Sequence, residues 1–231
     1  ILSLSGRIKA NDEVLISALE HHSNIVPWQM LCQRTGAKLK IIPCDDNGTL
    51  DLDAFHEALK GPVKILALTS ISNAFGTVNP IAEMTRAAKA AGAIVLIDAA
   101  QSIAHLPTDV QSIGADFLAF SGHKIYAPTG IGILWGRKNL LEELPPWQGG
   151  GEMILSVGLE KTLYKEVPWK FEAGTPDIAG AVGGERAHHR NLVALERDER
   201  RAGTEPEQRR SHRHEDDELA QHAAACPRRA L

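Results

Sequence analysis

Length, composition and charge exclude several kinds of protein. The 231 residues, 43% of them hydrophobic, are enough to bury the core of one large domain. A formal net charge of −4 provides no general basic field for nucleic acid or an anionic membrane surface, which favours small-molecule chemistry. The scattered cysteines Cys32, Cys44 and Cys226 indicate neither a disulfide framework nor a paired metal site, so we expect a cytoplasmic protein without a metal. No apolar run approaches membrane-spanning length, so no membrane-spanning segment is expected.

The predicted elements alternate between short apolar runs and amphipathic stretches from Val14 to Trp135. Helix starts are predicted at Asp51 and at Asn79-Pro80. This alternation predicts an α/β fold in which a mostly parallel sheet is flanked by helices. The predicted strands are, in chain order, Val14–Ala18, Leu39–Pro43, Val63–Thr69, Ala93–Asp98 and Asp116–Phe120.

The segment Glu20–Trp28 follows the first predicted strand and begins a predicted helix. The imidazole of His21 could stack on the planar ring of a ligand, and Ser23 or Asn24 could cap the helix. The neighbouring His22 raises the alternative of a zinc site. The side chains of adjacent residues diverge, however, and nothing nearby completes a set of ligands, so zinc is not expected.

Two later strand ends carry further polar residues. Asp98 ends an apolar strand and is followed by the amide of Gln101, although a strand-end aspartate is most often a cap for the next helix. Lys124 follows the next strand, and a lysine by itself is usually a solvated surface charge. The preceding Ser121–His123 adds hydroxyl and imidazole donors for a phosphate, and its glycine lets the backbone approach closely. Because ligands bind at the carboxyl ends of parallel strands, Asp98 and Lys124 are expected to face a common crevice.

Together these residues supply what pyridoxal 5'-phosphate requires of a protein. The cofactor needs a lysine for its aldehyde, a carboxylate opposite the pyridinium nitrogen, a face for its ring and donors for its phosphate. The sequence offers Lys124, Asp98, His21 and the donors of Ser121–His123 in these roles. It therefore predicts an enzyme that uses pyridoxal phosphate.

Three segments resemble the SufS and CsdA group of cysteine desulfurases, class V aminotransferases of pyridoxal-phosphate fold type I. They are His21–Gln29, Ser121–Lys124 and Tyr126–Leu134, and the resemblance extends from about Ile1 to Gly183. The cofactor-binding roles that the resemblance implies are covalent attachment at Lys124, pairing with the pyridinium by Asp98, contact with the ring oxygen by Gln101, stacking by His21, and phosphate binding by Ser121 and His123.

Two further roles follow from the same resemblance. Asn73 would help to bind the substrate carboxylate, a role compatible with its alternative reading as a turn residue. Thr175, in Phe171–Pro176, would lie near the phosphate of the partner subunit in a homodimer. That segment and the glycine-rich Trp147–Met153 could equally be plain loops.

The activity implied by the resemblance is conversion of L-cysteine to L-alanine, with sulfur transfer to an acceptor protein for iron–sulfur cluster assembly. Two alternatives remain open. One is another class V enzyme, such as an aminotransferase or a selenocysteine lyase, and the other is an inactive truncated product. A cofactor absorbance spectrum separates the enzymes from the inactive product.

The sequence departs from the resemblance at both ends. Relatives carry a Gly-Thr-Thr-Glu phosphate-binding turn and an Arg-Thr-Gly-His-His-Cys type loop with the nucleophilic cysteine, and neither motif is present. We therefore assign no catalytic cysteine and expect little desulfurase turnover. All eleven lysines precede Gly183, whereas ten of the fourteen arginines follow it. The sequence thus predicts a partial cofactor-binding large domain at 1–183 and a charged tail at 184–231, disordered or translated out of frame.

Overall fold

A six-stranded sheet forms the centre of residues 1–186, the part of the chain that the computed structural model describes. The strands are β1 Glu13–Ser17, β2 Lys38–Ile42, β3 Val63–Thr69, β4 Ile94–Asp98, β5 Phe117–Ser121, β6 Gly132–Gly136, β7 Ile154–Val157 and β8 Thr162–Tyr164. The sheet has the order β2-β1-β3-β4-β5-β6, and only β6 runs antiparallel to its neighbour. β7 and β8 form a separate antiparallel pair.

Helices lie on both faces of the sheet and leave β3 buried along almost its whole length. One face packs on Phe55 and Met84, and the other packs on Trp28 and Leu31. A parallel strand covered on both faces is expected to be a continuous apolar run, as the stretch Ile65–Leu68 of β3 is. The α-helices that begin and end within the described residues are α1 Val26–Thr35, α2 Leu52–Ala58, α3 Ile81–Ala90, α4 Val110–Ile113 and α5 Lys138–Glu143. Residues 178–186 are also helical. The 3-10 turns are Leu2–Arg7, His22–Asn24, Ser102–Ala104, Gly122–Ile125 and Trp169–Phe171.

The five predicted strands are confirmed to within one residue at each end, and so is the α/β fold. Asp51 caps α2 as predicted, since its Oδ1 accepts a hydrogen bond from Ala54 N at 2.9 Å. The predicted cap of α1 was wrong. The capping residue is Ile25, whose side chain has no hydrogen-bond acceptor. The side chain of Ser23 bonds to His21, and that of Asn24 bonds to Glu20.

Several other sequence predictions concern absences or the end of the chain. None of the helices in the described residues has the length and hydropathy that a membrane crossing requires. No cluster of His, Cys, Asp or Glu within residues 1–186 is arranged to hold a metal ion. The predicted tail at 184–231, apart from its first three residues, lies outside the described residues.

Candidate active site

Four predicted site residues lie at the ends of strands that are side by side in the sheet. His21 follows β1, Asn73 follows β3, Asp98 ends β4 and Lys124 follows β5. These strands are parallel and occupy the order β1-β3-β4-β5, so their carboxyl ends lie along one edge of the sheet. The fold thus brings residues that are up to 103 positions apart to one edge.

Asp98 is held by its backbone and by one of its two carboxylate oxygens. It pairs with Thr69 across the sheet, and its carbonyl accepts a hydrogen bond from Ser70 N at 2.9 Å. Its Oδ1 accepts from Ala100 N at 2.9 Å, the local contact that a strand-end aspartate favours. Within residues 1–186, Oδ2 has no hydrogen-bond partner, and the residue is half-buried. The second oxygen therefore remains available to a ligand.

Lys124 lies in the 3-10 turn Gly122–Ile125, which ends at a left-handed Tyr126 with φ 68°. The glycine of this turn is required by packing, because a Cβ at Gly122 would lie 2.6 Å from Cγ2 of Ile131. The close backbone approach predicted for Gly122 is therefore an approach to Ile131. Lys124 itself is exposed and forms no ion pair or hydrogen bond with the other described residues.

Four more predicted ligand-binding side chains are free of hydrogen bonds within residues 1–186. Two of them are exposed and two are half-buried, so all four are accessible to a ligand. Exposed polar groups satisfied by water can exchange that water for ligand atoms. The exposed pair is Asn73 and His123, and the half-buried pair is Gln101 and Ser121.

The exposed ring of His21 is oriented by the loop between β1 and α1. Its Nδ1 accepts a hydrogen bond from Ser23 N at 3.2 Å and lies 2.8 Å from Ser23 Oγ. The backbone of the loop is closed by Asn24 N, which donates to the His21 carbonyl at 2.8 Å. These contacts engage one nitrogen. The His22 ring lies 5.7 Å away from centroid to centroid at an interplanar angle of 32°, and the His21 side chain stays exposed.

Glu20 is a buried charged residue of this edge that the sequence prediction did not assign a role. Its carboxylate accepts hydrogen bonds from Ser17 Oγ at 2.5 Å, from Asn24 Nδ2 at 2.6 Å and from Thr69 N at 2.9 Å. Burial, with a smaller contribution from the negative charge of Asp98, raises the pKa of Glu20 to about 6 against the lowering effect of these hydrogen bonds. The sequence feature that could have indicated Glu20 is an acidic residue just after an apolar strand and directly before His21.

Thr175 lies outside the group of strand ends. It is exposed and follows the 3-10 turn Trp169–Phe171. The preceding Gly174 donates a backbone hydrogen bond to Gly151 O at 3.1 Å, so the two loop segments noted in the sequence contact each other. The role of Thr175 toward a partner subunit stays a prediction.

The described cysteines do not present a reactive thiol. Cys32 is buried in α1, and burial raises the pKa of its thiol. Cys44 is half-buried in an isolated bridge with Leu50. Because the thiolate is the nucleophilic form, Cys32 is poorly suited to attack. Cys226 lies outside the described residues.

Comparisons with known proteins identify the family of the chain. The family model described as aminotransferase class-V matches residues 1–203. The chain belongs to the class V aminotransferases. Among curated members, cysteine desulfurases of Escherichia coli strains O8 IAI1 and K12 DH10B are each 51% identical over 180 residues, which make up 78% of this chain and 44% of theirs. The chain thus spans less than half the length of these curated relatives.

Solved structures place this class V chain in the same fold. The cysteine desulfurase CsdA from Escherichia coli is 42% identical with a TM-score of 0.79, over 81% of this chain and 47% of that one. The cysteine desulfurase from Thermococcus onnurineus NA1 is 40% identical with the same TM-score of 0.79, over 83% and 48%. These structures confirm the predicted mostly parallel sheet of the pyridoxal-phosphate fold.

Proposed function

We propose that this chain is the cofactor-binding part of a pyridoxal-phosphate-dependent cysteine desulfurase, which converts L-cysteine to L-alanine. The sulfur passes to an acceptor protein for iron–sulfur cluster assembly, and the working unit is a cytoplasmic homodimer. The observation that carries the proposal is the combination of an unbonded Lys124 and an open Asp98 oxygen at the ends of neighbouring strands. Identity of 51% to cysteine desulfurases supports the choice of substrate.

The described residues fit pyridoxal phosphate by their chemistry. Lys124 has no ionic partner within residues 1–186 to compete for its amine, and Asp98 keeps one oxygen free for a pyridinium nitrogen. Ser121 and His123 offer unused donors to a phosphate. When bound, the cofactor supplies an electron sink that stabilises negative charge at the substrate α-carbon.

The side chains at this edge would divide the work of binding and proton transfer. Asp98 would keep a proton on the ring nitrogen, Gln101 would donate to the ring oxygen, and His21 would cover one face of the ring. Lys124 would bind the cofactor aldehyde and move the proton at the substrate α-carbon. Asn73 would orient the substrate carboxylate. Thr175 would reach the phosphate of the partner subunit, and the step of sulfur attack is assigned to none of the described cysteines.

The test is to load the chain with pyridoxal phosphate, reduce it with borohydride and map the labelled peptide. We expect the label on Lys124 and expect Lys124→Ala to lose both the label and the visible absorbance. Lys138→Ala is the matched control, since the Lys138 side chain is 80% exposed and follows the end of β6 that pairs with the start of β5, at the opposite edge of the sheet from the turn. Label on another lysine, with Lys124 unmodified, would contradict the assignment.

The amino acid that perturbs the bound cofactor distinguishes the activities. L-Cysteine should change the absorbance of the loaded chain more strongly than L-alanine or L-aspartate does. A stronger response to L-selenocysteine or to an amino-group donor would instead favour another class V enzyme. A wild-type chain without any cofactor absorbance would favour the inactive product.

A further inference from the structure

The Glu20 carboxylate joins three separate parts of the fold. Ser17 lies at the end of β1, Asn24 ends the 3-10 turn that follows, and Thr69 ends β3, 49 residues away in the sequence. Glu20 is only 7% exposed, so water cannot readily replace a lost partner. This one carboxylate therefore ties the loop directly to the neighbouring strand.

The direction of the hydrogen bonds is fixed by two groups that can only donate. The indole nitrogen of Trp28 gives its hydrogen to Asn24 Oδ1 at 2.9 Å, which turns Asn24 Nδ2 toward Glu20. The backbone amide of Thr69 is likewise only a donor. Both oxygens of Glu20 must therefore accept. A carboxylate satisfies this requirement, whereas a side-chain amide has only one acceptor atom.

The same network is linked directly to residues of the candidate active site. Asn24 donates to Glu20 through its side chain and to the carbonyl of His21 through its backbone. Thr69 donates to Glu20 and is the sheet partner of Asp98. The carboxylate thus connects the loop that bears the stacking imidazole with the strand pair that bears Asp98.

We propose that Glu20 is a positioning residue for the cofactor site. By accepting from Asn24 and Thr69 at once, it fixes the His21 loop relative to Asp98. The imidazole is then already in place to cover the ring, which lowers the ordering cost of binding. This inference rests on the proposed function, because it takes the ligand at this edge to be pyridoxal phosphate.

The same carboxylate also adds a negative charge close to Asp98. Burial raises the pKa of Glu20 to about 6, and the negative charge of Asp98 adds a smaller effect in the same direction. The three donors oppose that shift, and the carboxylate remains ionised above neutral pH. A second negative charge beside Asp98 favours a protonated ring nitrogen, so the residue contributes to the field of the site as well as to its geometry.

Glu20→Gln is the first test, because it keeps the size of the side chain and removes one acceptor. Either Asn24 Nδ2 or Thr69 N must then face amide hydrogens. We expect the dissociation constant of pyridoxal phosphate to rise about tenfold, comparable to losing one hydrogen bond to a charged group. The visible circular dichroism of the bound cofactor should weaken with it. Glu57→Gln is the matched control, since the Glu57 side chain is 72% exposed, and should leave both measurements unchanged.

The swap Glu20→Gln with Asn24→Asp tests the direction of the hydrogen bonds. In the double variant the new amide donates to the new carboxylate, which still accepts from Trp28, and the remaining carbonyl oxygen still accepts from Thr69. We expect it to recover most of the affinity and dichroism that Glu20→Gln loses. Asn24→Asp alone places two carboxylates face to face and should be at least as damaging as Glu20→Gln.

Each outcome decides the inference. Wild-type affinity and dichroism in Glu20→Gln would overturn it, and so would a double variant no better than Glu20→Gln. If Glu20→Gln does not fold, the double variant serves alone: a folded, cofactor-binding chain supports the inference, and an unfolded one contradicts it. A wild-type chain that takes up no pyridoxal phosphate would overturn the proposed function itself, which distinguishes the two failures.

Discussion

Asp116, at the edge of the sheet where the parallel strands begin, and the pair Asp98 and Lys124, at the edge where they end, differ in how their polar groups are bonded. At the amino edge, the buried carboxylate of Asp116 accepts from Lys89 Nζ at 2.6 Å and from Val95 N at 2.9 Å, and it lies 3.3 Å from Arg137 Nε. At the carboxyl edge, Lys124 and one oxygen of Asp98 have no such partners within the described residues. Closed networks hold the fold together, whereas open groups are available to a ligand.

Asp116→Ala should destabilise the fold without altering the candidate site. The change leaves the amide of Val95 without an acceptor and separates Lys89 and Arg137 from their shared anion. We expect the free energy of unfolding to fall by about 3 kcal/mol, near the low end for a broken buried pair because both cations are partly solvated. Urea denaturation measures the loss.

The affinity for pyridoxal phosphate serves as the second readout for the same variant. Because Asp116 lies at the opposite edge from Lys124 and Asp98, the dissociation constant measured at low denaturant should stay within about twofold of wild type. A large loss of affinity with little loss of stability would show that the two edges are not independent.

The strands were predictable because their signal is local. β3 is an apolar run bounded by Gly-Pro before it and polar residues after it, and its predicted bounds, Val63–Thr69, are those observed. β6 was missed because Gly132–Gly136 has glycine at both ends and follows the Gly- and Pro-punctuated loop after Lys124, which leaves an apolar run of only three residues. β7 and β8 were missed because they are four and three residues long and none of their residues is buried.

The candidate site was predictable only where chemistry and strand ends coincide in the sequence. Asp98 and Lys124 each end or follow an apolar run, and the parallel sheet brings those ends together. Glu20 could not be assigned in this way. One of its partners, Thr69, is 49 residues distant, and a backbone donor leaves no mark in the sequence.

The pH dependence of stability tests a second difference, between two carboxylates at the carboxyl edge. Both oxygens of Glu20 accept hydrogen bonds, whereas Asp98 has one oxygen without a partner in the described residues. The folded-state pKa of Glu20 is raised from 4.5 to about 6, so the folded chain holds a proton that the unfolded chain has lost. The stabilising contribution is fully present below pH 4.5 and is lost as the pH rises through 6. Its size is about 2 kcal/mol.

Glu20→Gln cannot titrate and serves as the reference for that measurement. The difference in unfolding free energy between wild type and Glu20→Gln should shift by about 2 kcal/mol against the wild type from pH 4.5 to pH 7.5, while the other groups cancel. Urea denaturation of both chains at several pH values gives the curve. Two parallel stability curves would contradict the raised pKa.

Asp98→Asn should weaken the binding of pyridoxal phosphate while leaving the free energy of unfolding almost unchanged. An asparagine oxygen can still accept from Ala100 N, so the local turn survives and the free energy of unfolding should change by less than about 0.5 kcal/mol. The amide carries no charge for a pyridinium nitrogen, and we expect the dissociation constant of pyridoxal phosphate to rise about tenfold. Asp98→Ala removes the turn contact as well, and should lose stability in addition to affinity. If Asp98→Asn binds the cofactor as tightly as wild type while Asp98→Ala does not, the carboxylate serves only the turn, and the carboxyl edge is no more open than the amino edge.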